Sequence, residues 1–217
     1  MTGLVLATRN DHKVREFARL LDGVDVAPLP ADVEVPPETG TTFAENALIK
    51  ARSAAAATRR AAIADDSGVG AEALDWRPGV FSARFAGEDA TDEANLAKLE
   101  REAPAGSRLR YTCVIAHVGA DGAETLFYGR CAGAMAAEGS GTRGFGYDPV
   151  FVPDGERRTM AELSDAEKDA ISHRGRAARV RSWPVDAVRA WPVTPPATRA
   201  GRARRDPGAR SRPSPRR

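Results

Sequence analysis

The segment AAIADDSG, residues 61–68, runs from small apolar side chains directly into two adjacent carboxylates, a hydroxyl and a glycine. Adjacent acids repel each other, and burying either one is costly unless it is paired or bound to a metal. Successive side chains point in opposite directions at the end of a strand, so one aspartate can face a site while the other anchors a turn. The alternative interpretation is a strand-ending Asx turn in which Gly68 supplies a positive φ angle.

The composition is that of one globular domain with an appendage. Of the 217 residues, 42% are hydrophobic and 29% are charged, with a formal net charge of +2. The basic charge is concentrated in the Arg- and Pro-rich segment 193–217, and the rest of the chain is mildly acidic. We expect a domain over residues 1–192 and a disordered tail over residues 193–217. Contact between this tail and nucleic-acid phosphates is the less favoured alternative.

Cysteine usage and hydropathy favour a cytoplasmic protein with no membrane partner. Cys113 and Cys131 have no metal-binding spacing, and the sequence predicts no signal peptide. No apolar run approaches the roughly 18 residues that a membrane helix needs. Lysine occurs only at positions 13, 50, 98 and 168, although arginine is abundant. One interpretation is that a compact ammonium group is needed where lysine persists, and chance placement is the alternative.

Helical and strand-like segments alternate irregularly along the chain. Asn10-Asp11 can cap a helix over residues 12–22, and Thr42–Glu45 form a capping box for a helix that reaches about Arg60. Residues 109–118 and 124–134 predict a β-hairpin. The remaining predicted segments are a strand at 4–8, a loop at 33–40, an irregular region at 69–90, a helix from Thr91, a glycine-rich loop at 139–146, a strand at 149–152, a helix after a Thr159–Glu162 capping box, and a helix over 173–182. Together they predict an α/β fold with a mixed sheet.

The segment TRNDHK, residues 8–13, lies at a predicted junction between a strand and a helix. Free backbone N–H groups and the helix dipole favour an anion such as phosphate at this position. Thr8 and Asn10 add short polar side chains, and Lys13 adds a point charge. Ordinary helix capping explains the same residues equally well.

Three acidic residues are candidate metal ligands: Glu38, Asp65 and Asp66. Mg²⁺ prefers oxygen ligands and often bridges a few carboxylates to substrate phosphates. An exposed loop acid is the alternative for Glu38. The capping box is sufficient to explain Glu45, so we leave Glu45 out of the metal site.

The segment GFGYDP, residues 144–149, places an aromatic ring between two glycines. Residues 139–144 match GxGxxG formally, but no helix is predicted to open there, so a dinucleotide site is rejected. A glycine-flanked aromatic ring can serve as a platform for a planar base, and a tight turn with Phe145 in the core is the alternative.

Hydrogen-bond donors cluster near the end of the domain, at Lys168, His173 and Arg174. Ser172 can cap a new helix, which leaves His173 and Arg174 in its first turn. Such donors are suited to carbonyl oxygens, although a lone histidine is more often structural.

Taken together, these segments resemble the inosine triphosphate pyrophosphatase family, also called the Ham1-like family. The resemblance rests on motifs that occur in the family's order over about residues 4–180: LATRN with Lys13, ETG and TFAENA with KAR (residues 38–52), ADDSG (64–68), PGVFSAR (78–84), GFGYDP (144–149), and Glu167-Lys168 with SHRG (172–175). Each motif is weak alone, but the ordered set is highly specific.

The resemblance implies an elongated mixed sheet with flanking helices, in two lobes around a central nucleotide cleft, and a homodimer. It implies Mg²⁺-dependent hydrolysis of ITP, dITP and XTP to the monophosphate and pyrophosphate. Asp66 would be the general base and a metal ligand, with Glu38 and Asp65 supporting the metal. The substrate-binding residues implied are Thr8, Arg9, Asn10, Asp11, His12, Lys13, Lys50, Ser67, Phe145, Gly146, Tyr147, Asp148, Lys168, His173 and Arg174.

Base selectivity has a physical explanation on this hypothesis. Hypoxanthine and xanthine carry an accepting oxygen at position 6, whereas adenine carries a donor there. Donors from His173 or Arg174 would be left unpaired against adenine, a mismatch that can discriminate by roughly 10⁴.

The chain departs from the family pattern at two places. Arg9 stands where a small residue is common, and it can contact phosphate or point to solvent. Trp183-Pro184 should end the last helix near Ser182, because proline in a helix interior costs about 3 kcal/mol.

Two other functions remain as alternatives. One is a Maf-like pyrophosphatase acting on other modified nucleotides, and the other is a non-catalytic nucleotide- or RNA-binding protein.

Overall fold

The fold, determined as a computed structural model that describes residues 3–179, is a six-stranded mixed sheet with helices on its faces. The strands are β1 (Leu4–Leu6), β2 (Val26–Pro28), β3 (Ala62–Ala71), β4 (Arg108–Val118), β5 (Glu124–Met135) and β6 (Phe151–Pro153). The helices are α1 (Asp11–Leu20), α2 (Phe43–Thr58), α3 (Asp92–Glu102), α4 (Asp165–Ile171) and α5 (His173–Ala178).

The strand order β2-β1-β3-β4-β5-β6 confirms the predicted mixed sheet. β1 pairs in parallel with both β2 and β3, and each connection carries a helix. β3, β4, β5 and β6 pair in an antiparallel manner, and the predicted hairpin forms between β4 and β5. The open sheet therefore joins a short parallel edge to a longer antiparallel meander.

The helix starts predicted at Asn10, Thr42 and Thr91 are confirmed. The Asn10 side chain accepts from the Lys13 amide at 3.1 Å at the start of α1. Thr42 and Glu45 form the complete capping box of α2, and Thr91 caps α3. Capping depends on neighbours along the chain, so local sequence is sufficient to place these ends.

The prediction that the strand ends at the two aspartates is wrong. β3 continues through them to Ala71, and Ser67 and Gly68 pair with Cys113 and Thr112 of β4. Gly68 is absent from the positive-φ glycines. Its missing side chain instead makes room for the 3₁₀ helix at Gly79–Arg84, because a Cβ at position 68 would collide with the Ser82 hydroxyl and the Gly79 carbonyl.

Two other predicted boundaries also change, and two segments differ in kind from the prediction. Thr159 and Glu162 form a turn, and the helix that follows begins at a second capping box of Ser164 and Glu167. β6 starts at Phe151 because residues 148–150, which include Pro149, form a 3₁₀ turn. The short edge strand β2 was not predicted, and the region 69–90 contains the end of β3 and two 3₁₀ helices.

The hydrophobic core divides along the length of the sheet. One cluster, around Leu99, Leu109 and Phe151, fills one end. At the other end, two clusters cover opposite faces: Phe17 with Ile63 on one, and Ala47 with Ala64 on the other. This division agrees with the expected two lobes, and the middle of β3 lies between them.

Several predictions fall outside the described residues, namely the helix beyond Arg179, the effect of Trp183-Pro184, and the tail at 193–217. Within residues 3–179, no helix is both long enough and apolar enough to cross a membrane.

Candidate functional site

A cavity of about 290 Å³ opens beside the middle of β3, where the two lobes meet. It is bordered by the start of α1, the loop before α2, the glycine-flanked aromatic segment and the α4–α5 junction. Of the residues predicted to form a site, the cavity is lined by Thr8, Arg9, Asn10, Lys13, Glu38, Lys50, Asp66, Ser67, Phe145, Gly146, Tyr147, Asp148, Lys168, His173 and Arg174. Asp11, His12 and Asp65 do not line it.

The two aspartates point to opposite faces of the sheet because they are consecutive in a strand. Asp65 lies on the same face as Ile63, which packs with α1 and α5. Asp66 lies on the same face as Ala64, which packs with α2. The sequence could not assign these faces, because the assignment depends on which face each helix covers.

Asp66 is held at the cavity by residues of α2. Its Oδ2 accepts from the Asn46 Nδ2 at 3.1 Å, and its Oδ1 lies 3.5 Å from the Lys50 Nζ. Lys50 also contacts Glu38, at 2.5 Å. Burial and the nearby Glu38 raise the pKa of Asp66, although Lys50, Lys13 and Asn46 act in the opposite direction. A carboxylate with a raised pKa in a cavity is a candidate general base.

Asp65 is fully buried and neutralised by cations. Its Oδ2 accepts from the Arg174 Nη2 at 2.8 Å, and its Oδ1 lies 3.1 Å from the Lys13 Nζ. Although burial alone would raise the pKa of Asp65, Lys13 and Arg174 lower it well below its usual range. Asp65 therefore holds Lys13 and Arg174 in place.

The sequence analysis did not identify Glu16. Its carboxylate is buried and accepts from Arg174, and it lies 2.7 Å from the Lys168 Nζ. Burial opposes ionisation, but Arg174 and Lys168 lower the pKa of Glu16 to about 2. Glu16 follows Lys13 by three residues on α1, and this helical spacing was the available signal.

Asp148 organises the end of the cavity that is formed by the aromatic segment, residues 144–149. Its carboxylate accepts from the Tyr111 hydroxyl at 3.1 Å, the Phe145 amide at 2.9 Å and the Lys168 Nζ at 2.6 Å. Tyr111 was also missed, because only the pairing of β4 with its neighbours brings it here. Asp148 thereby fixes the backbone of the aromatic segment.

Phe145 forms a wall between this cavity and a smaller one of about 250 Å³. The His12 ring stacks on Phe145, with centroids 5.0 Å apart, and lines only the smaller cavity. The Arg174 and Lys168 cations lie 5.7 and 5.1 Å from the Phe145 centroid. The aromatic ring thus combines a stacking surface with nearby positive charge.

His173 is buried in a neutral form. Its ring stacks on the Tyr111 ring, with the two centroids 4.5 Å apart. Its Nδ1 has no hydrogen-bond partner among the described residues. Burial, reinforced by Arg174, lowers the pKa of His173 well below 6.5. An uncharged imidazole can both donate and accept a hydrogen bond.

The Arg9 side chain binds backbone carbonyls of a distant loop in the same chain. Its guanidinium donates to the carbonyl oxygens of Leu29, Pro30 and Val33, at 2.7, 2.5 and 2.7 Å. These bonds tie the start of α1 to the loop before α2. Arg9 is therefore an exposed residue that lines the cavity while its guanidinium is held by the chain, and a phosphate contact stays a prediction.

The fold and cavity define a class: an α/β protein with a cleft suited to a phosphorylated ligand that carries a planar ring. The chain belongs to the Ham1 family, whose model matches residues 4–181. This finding confirms the family resemblance seen in the motifs.

Curated relatives cover most of the chain. The dITP/XTP pyrophosphatase of Escherichia coli strain K12 is 46% identical over 198 residues, covering 87% of this chain and 99% of that protein. The dITP/XTP pyrophosphatase of Frankia alni is 48% identical over 189 residues, covering 81% of this chain and 93% of that protein.

Solved structures share the fold. A HAM1 protein from Coxiella burnetii is 42% identical with a TM-score of 0.72, covering 82% of this chain and 95% of that one. A nucleoside-triphosphatase, or dITP/XTP pyrophosphatase, from Mycobacterium abscessus is 44% identical with a TM-score of 0.63, covering 81% of this chain and 96% of that one.

The family implies a divalent metal, and the cavity fits one. No group of three or more His, Cys, Asp or Glu residues within residues 3–179 forms a ready-made metal site. Glu38 and Asp66 nevertheless both contact Lys50 at the cavity. Two carboxylates suffice for an ion that takes its remaining ligands from water and substrate phosphates.

Proposed function

We propose that this protein hydrolyses the non-standard purine nucleoside triphosphates dITP, ITP and XTP to the monophosphate and pyrophosphate, with Mg²⁺ as cofactor. The observation that carries the proposal is that a helix start with Lys13, two carboxylates and a stacking aromatic line one cavity. The names of the curated relatives support it.

The triphosphate would lie against the start of α1. The first turn of a helix offers free N–H groups and a positive dipole end, which together favour phosphate. Lys13, held by Asp65 at 3.1 Å, adds a fixed positive charge. Lys50 extends the positive surface towards Asp66.

Asp66 would act as the general base. It would accept a proton from the water that attacks the α-phosphorus, and its raised pKa makes it a stronger base than an ordinary aspartate. Mg²⁺, held by Glu38 and Asp66, would neutralise charge on the phosphates. Asp65, despite the sequence-based assignment, is better suited to positioning Lys13 and Arg174 than to binding metal.

The purine would stack on Phe145, with Lys168 and Arg174 facing its oxygen at position 6. Arg174 already uses four of its N–H groups on Asp65, Glu16 and Ser67. Lys168 already contacts Glu16 and Asp148. One donor remains on each, and adenine would leave such a donor unpaired, which can reduce the rate by roughly 10⁴.

A homodimer in the cytoplasm completes the proposal. Phe81 and Tyr128 are large side chains that are 53% and 55% exposed in the single chain. Such exposed apolar side chains can be covered by a second subunit. Sedimentation of the purified protein tests the dimer, and a monomer at all concentrations would exclude it.

A substrate panel tests the function. The protein should be incubated with Mg²⁺ and dITP, XTP, dGTP, dATP or dTTP, and the rate of pyrophosphate release compared. We expect dITP and XTP to be turned over at least 100-fold faster than dATP. Equal rates on all five would exclude the selectivity, and no turnover of any would favour the non-catalytic alternative.

Truncation after residue 192 tests the basic tail. Turnover of dITP should survive, because every residue placed in the cavity lies upstream. Loss of turnover in a folded truncation would connect the tail to the activity.

A further inference from the structure

Asn46 is fully buried and connects the loop before α2 to Asp66. Its Oδ1 accepts from the Gly40 amide at 2.7 Å, and its Nδ2 donates to the Asp66 Oδ2 at 3.1 Å. The side chain lies in the first turns of α2, four residues before Lys50. Both ends of this short side-chain amide are therefore hydrogen-bonded, and one of them holds a residue that lines the cavity.

The Gly40 amide fixes the orientation of the Asn46 side chain. An N–H group can only donate, so the oxygen of Asn46 must face Gly40 and the nitrogen must face Asp66. The approach is close, because a Cβ at position 40 would lie 2.6 Å from the Asn46 Oδ1. Glycine at position 40 thus allows the contact that prevents the amide from turning over.

This arrangement determines which oxygen of Asp66 bonds to Asn46 and which one faces Lys50. Oδ2 is held by Asn46, whereas Oδ1 lies towards Lys50, at 3.5 Å. A carboxylate that must take a proton from a positioned water needs a fixed rotamer, since a misplacement of about 1 Å can cost roughly 100-fold in rate.

We propose that Asn46 is a positioning residue that fixes the rotamer of the Asp66 carboxylate, with its orientation set by the Gly40 amide. The proposal rests on the proposed function, because it assigns Asp66 the role of base. Within residues 3–179, the Asn46 side chain hydrogen-bonds Asp66 and Gly40, and it acts on the substrate through the Asp66 carboxylate.

Asn95 provides a matched control. It is also a buried asparagine in the first turns of a helix, α3, and its Oδ1 accepts from the Ala86 amide at 2.7 Å. Its Nδ2 donates at 3.0 Å to the Ala83 carbonyl oxygen, so its acceptor is backbone rather than a carboxylate. The two residues differ mainly in what the nitrogen holds.

The experiment compares Asn46→Ala and Asn46→Asp with Asn95→Ala and Asn95→Asp. We expect both pairs to lower the urea midpoint of unfolding. We expect only the Asn46 variants to lower kcat for dITP, by about 10- to 100-fold, with KM within about three-fold of the wild type. Asn46→Asp retains the acceptor for Gly40, so it remains informative if Asn46→Ala does not fold.

Crystal structures give a readout that does not depend on activity. In Asn46→Ala, the Asp66 carboxylate should adopt a different rotamer, whereas Asn95→Ala should leave it unchanged. An unchanged Asp66 rotamer together with unchanged kcat would overturn the proposal. So would a wild-type crystal structure with Asn46 more than 3.5 Å from Asp66. If wild-type protein fails to hydrolyse dITP, the proposed function fails, and the crystal structures still decide whether Asn46 positions Asp66.

Discussion

Arg174 and Asp65 form an ion pair in which the Arg174 Nε and Nη2 donate to the Asp65 Oδ2 at 3.2 and 2.8 Å. Their side chains are 1% and 0% exposed. This pair belongs to a chain of charged side chains beside the cavity. In order, its members are Lys13, Asp65, Arg174, Glu16, Lys168 and Asp148. It connects the end of the cavity that is proposed to bind phosphate with the end that is proposed to bind the purine.

Glu16→Gln should destabilise the protein in a pH-dependent manner. The pKa of Glu16 is about 2 in the folded state, against 4.5 for an ordinary glutamate. Because the folded value is the lower one, the stabilisation is complete above pH 4.5 and is lost as the pH falls towards 2. We expect Glu16→Gln to lower the free energy of unfolding by roughly 3 kcal/mol at pH 7.

Urea unfolding of wild type and Glu16→Gln at pH 3, 5 and 7 measures this effect. The difference between the two proteins should shrink at pH 3. Glu93→Gln, which changes an exposed acid in the first turn of α3, serves as control. If the difference in the free energy of unfolding is the same at pH 3 and pH 7, Arg174 and Lys168 do not lower the pKa of Glu16.

Asp65→Asn and Glu38→Gln should separate positioning from metal binding. Glu38 faces the cavity, whereas Asp65 is buried behind it. We expect Glu38→Gln to raise the Mg²⁺ concentration for half-maximal activity at least ten-fold. Asp65→Asn should leave that concentration within about two-fold while lowering stability by about 3–5 kcal/mol, because Arg174 loses a buried partner. A large change in Mg²⁺ requirement in Asp65→Asn would restore Asp65 as a ligand.

The His173 imidazole should stay neutral from pH 5 to pH 8. Burial, with the positive charge of Arg174, lowers its pKa well below 6.5. NMR of ring-labelled histidine measures this directly. Titration of His173 with a midpoint near 6.5 would contradict the buried, neutral assignment.

Gly68→Ala should destabilise the protein by roughly 1–3 kcal/mol, because the new Cβ would overlap Ser82 and the Gly79 carbonyl. Gly68→Asn should lower the free energy of unfolding further, because asparagine is larger than alanine. If position 68 were in a positive-φ turn, asparagine would be tolerated there. Gly139→Ala is the control, since a Cβ there meets nothing closer than 3.4 Å. Urea unfolding gives the comparison, and an asparagine variant more stable than the alanine variant would support a turn at position 68.

Local sequence predicted the features that depend on neighbours along the chain. Asn10, Thr42 and Thr91 were correctly assigned as helix caps because each bonds to an amide three residues away. The motifs also identified the family, since their order is specific. The mixed sheet followed from the predicted hairpin and the alternation of strands and helices.

The sequence could not predict features that depend on distant pairing. Ser67-Gly68 looked like a turn, but pairing with β4 continued the strand. Asn46 and Glu16 were missed because their partners, Asp66 and Arg174, lie 20 and 158 residues away along the chain. Asp65 looked like a ligand until the helices on each face of the sheet were placed.

The central claim is that water, activated by Asp66, attacks the α-phosphorus of the substrate. Hydrolysis of dITP in ¹⁸O-labelled water, with mass spectrometry of both products, tests it most directly. The label should appear in the monophosphate, with unlabelled pyrophosphate as the other product, and Asp66→Asn should form neither at a comparable rate. Label in the pyrophosphate, or release of orthophosphate in its place, would contradict the claim.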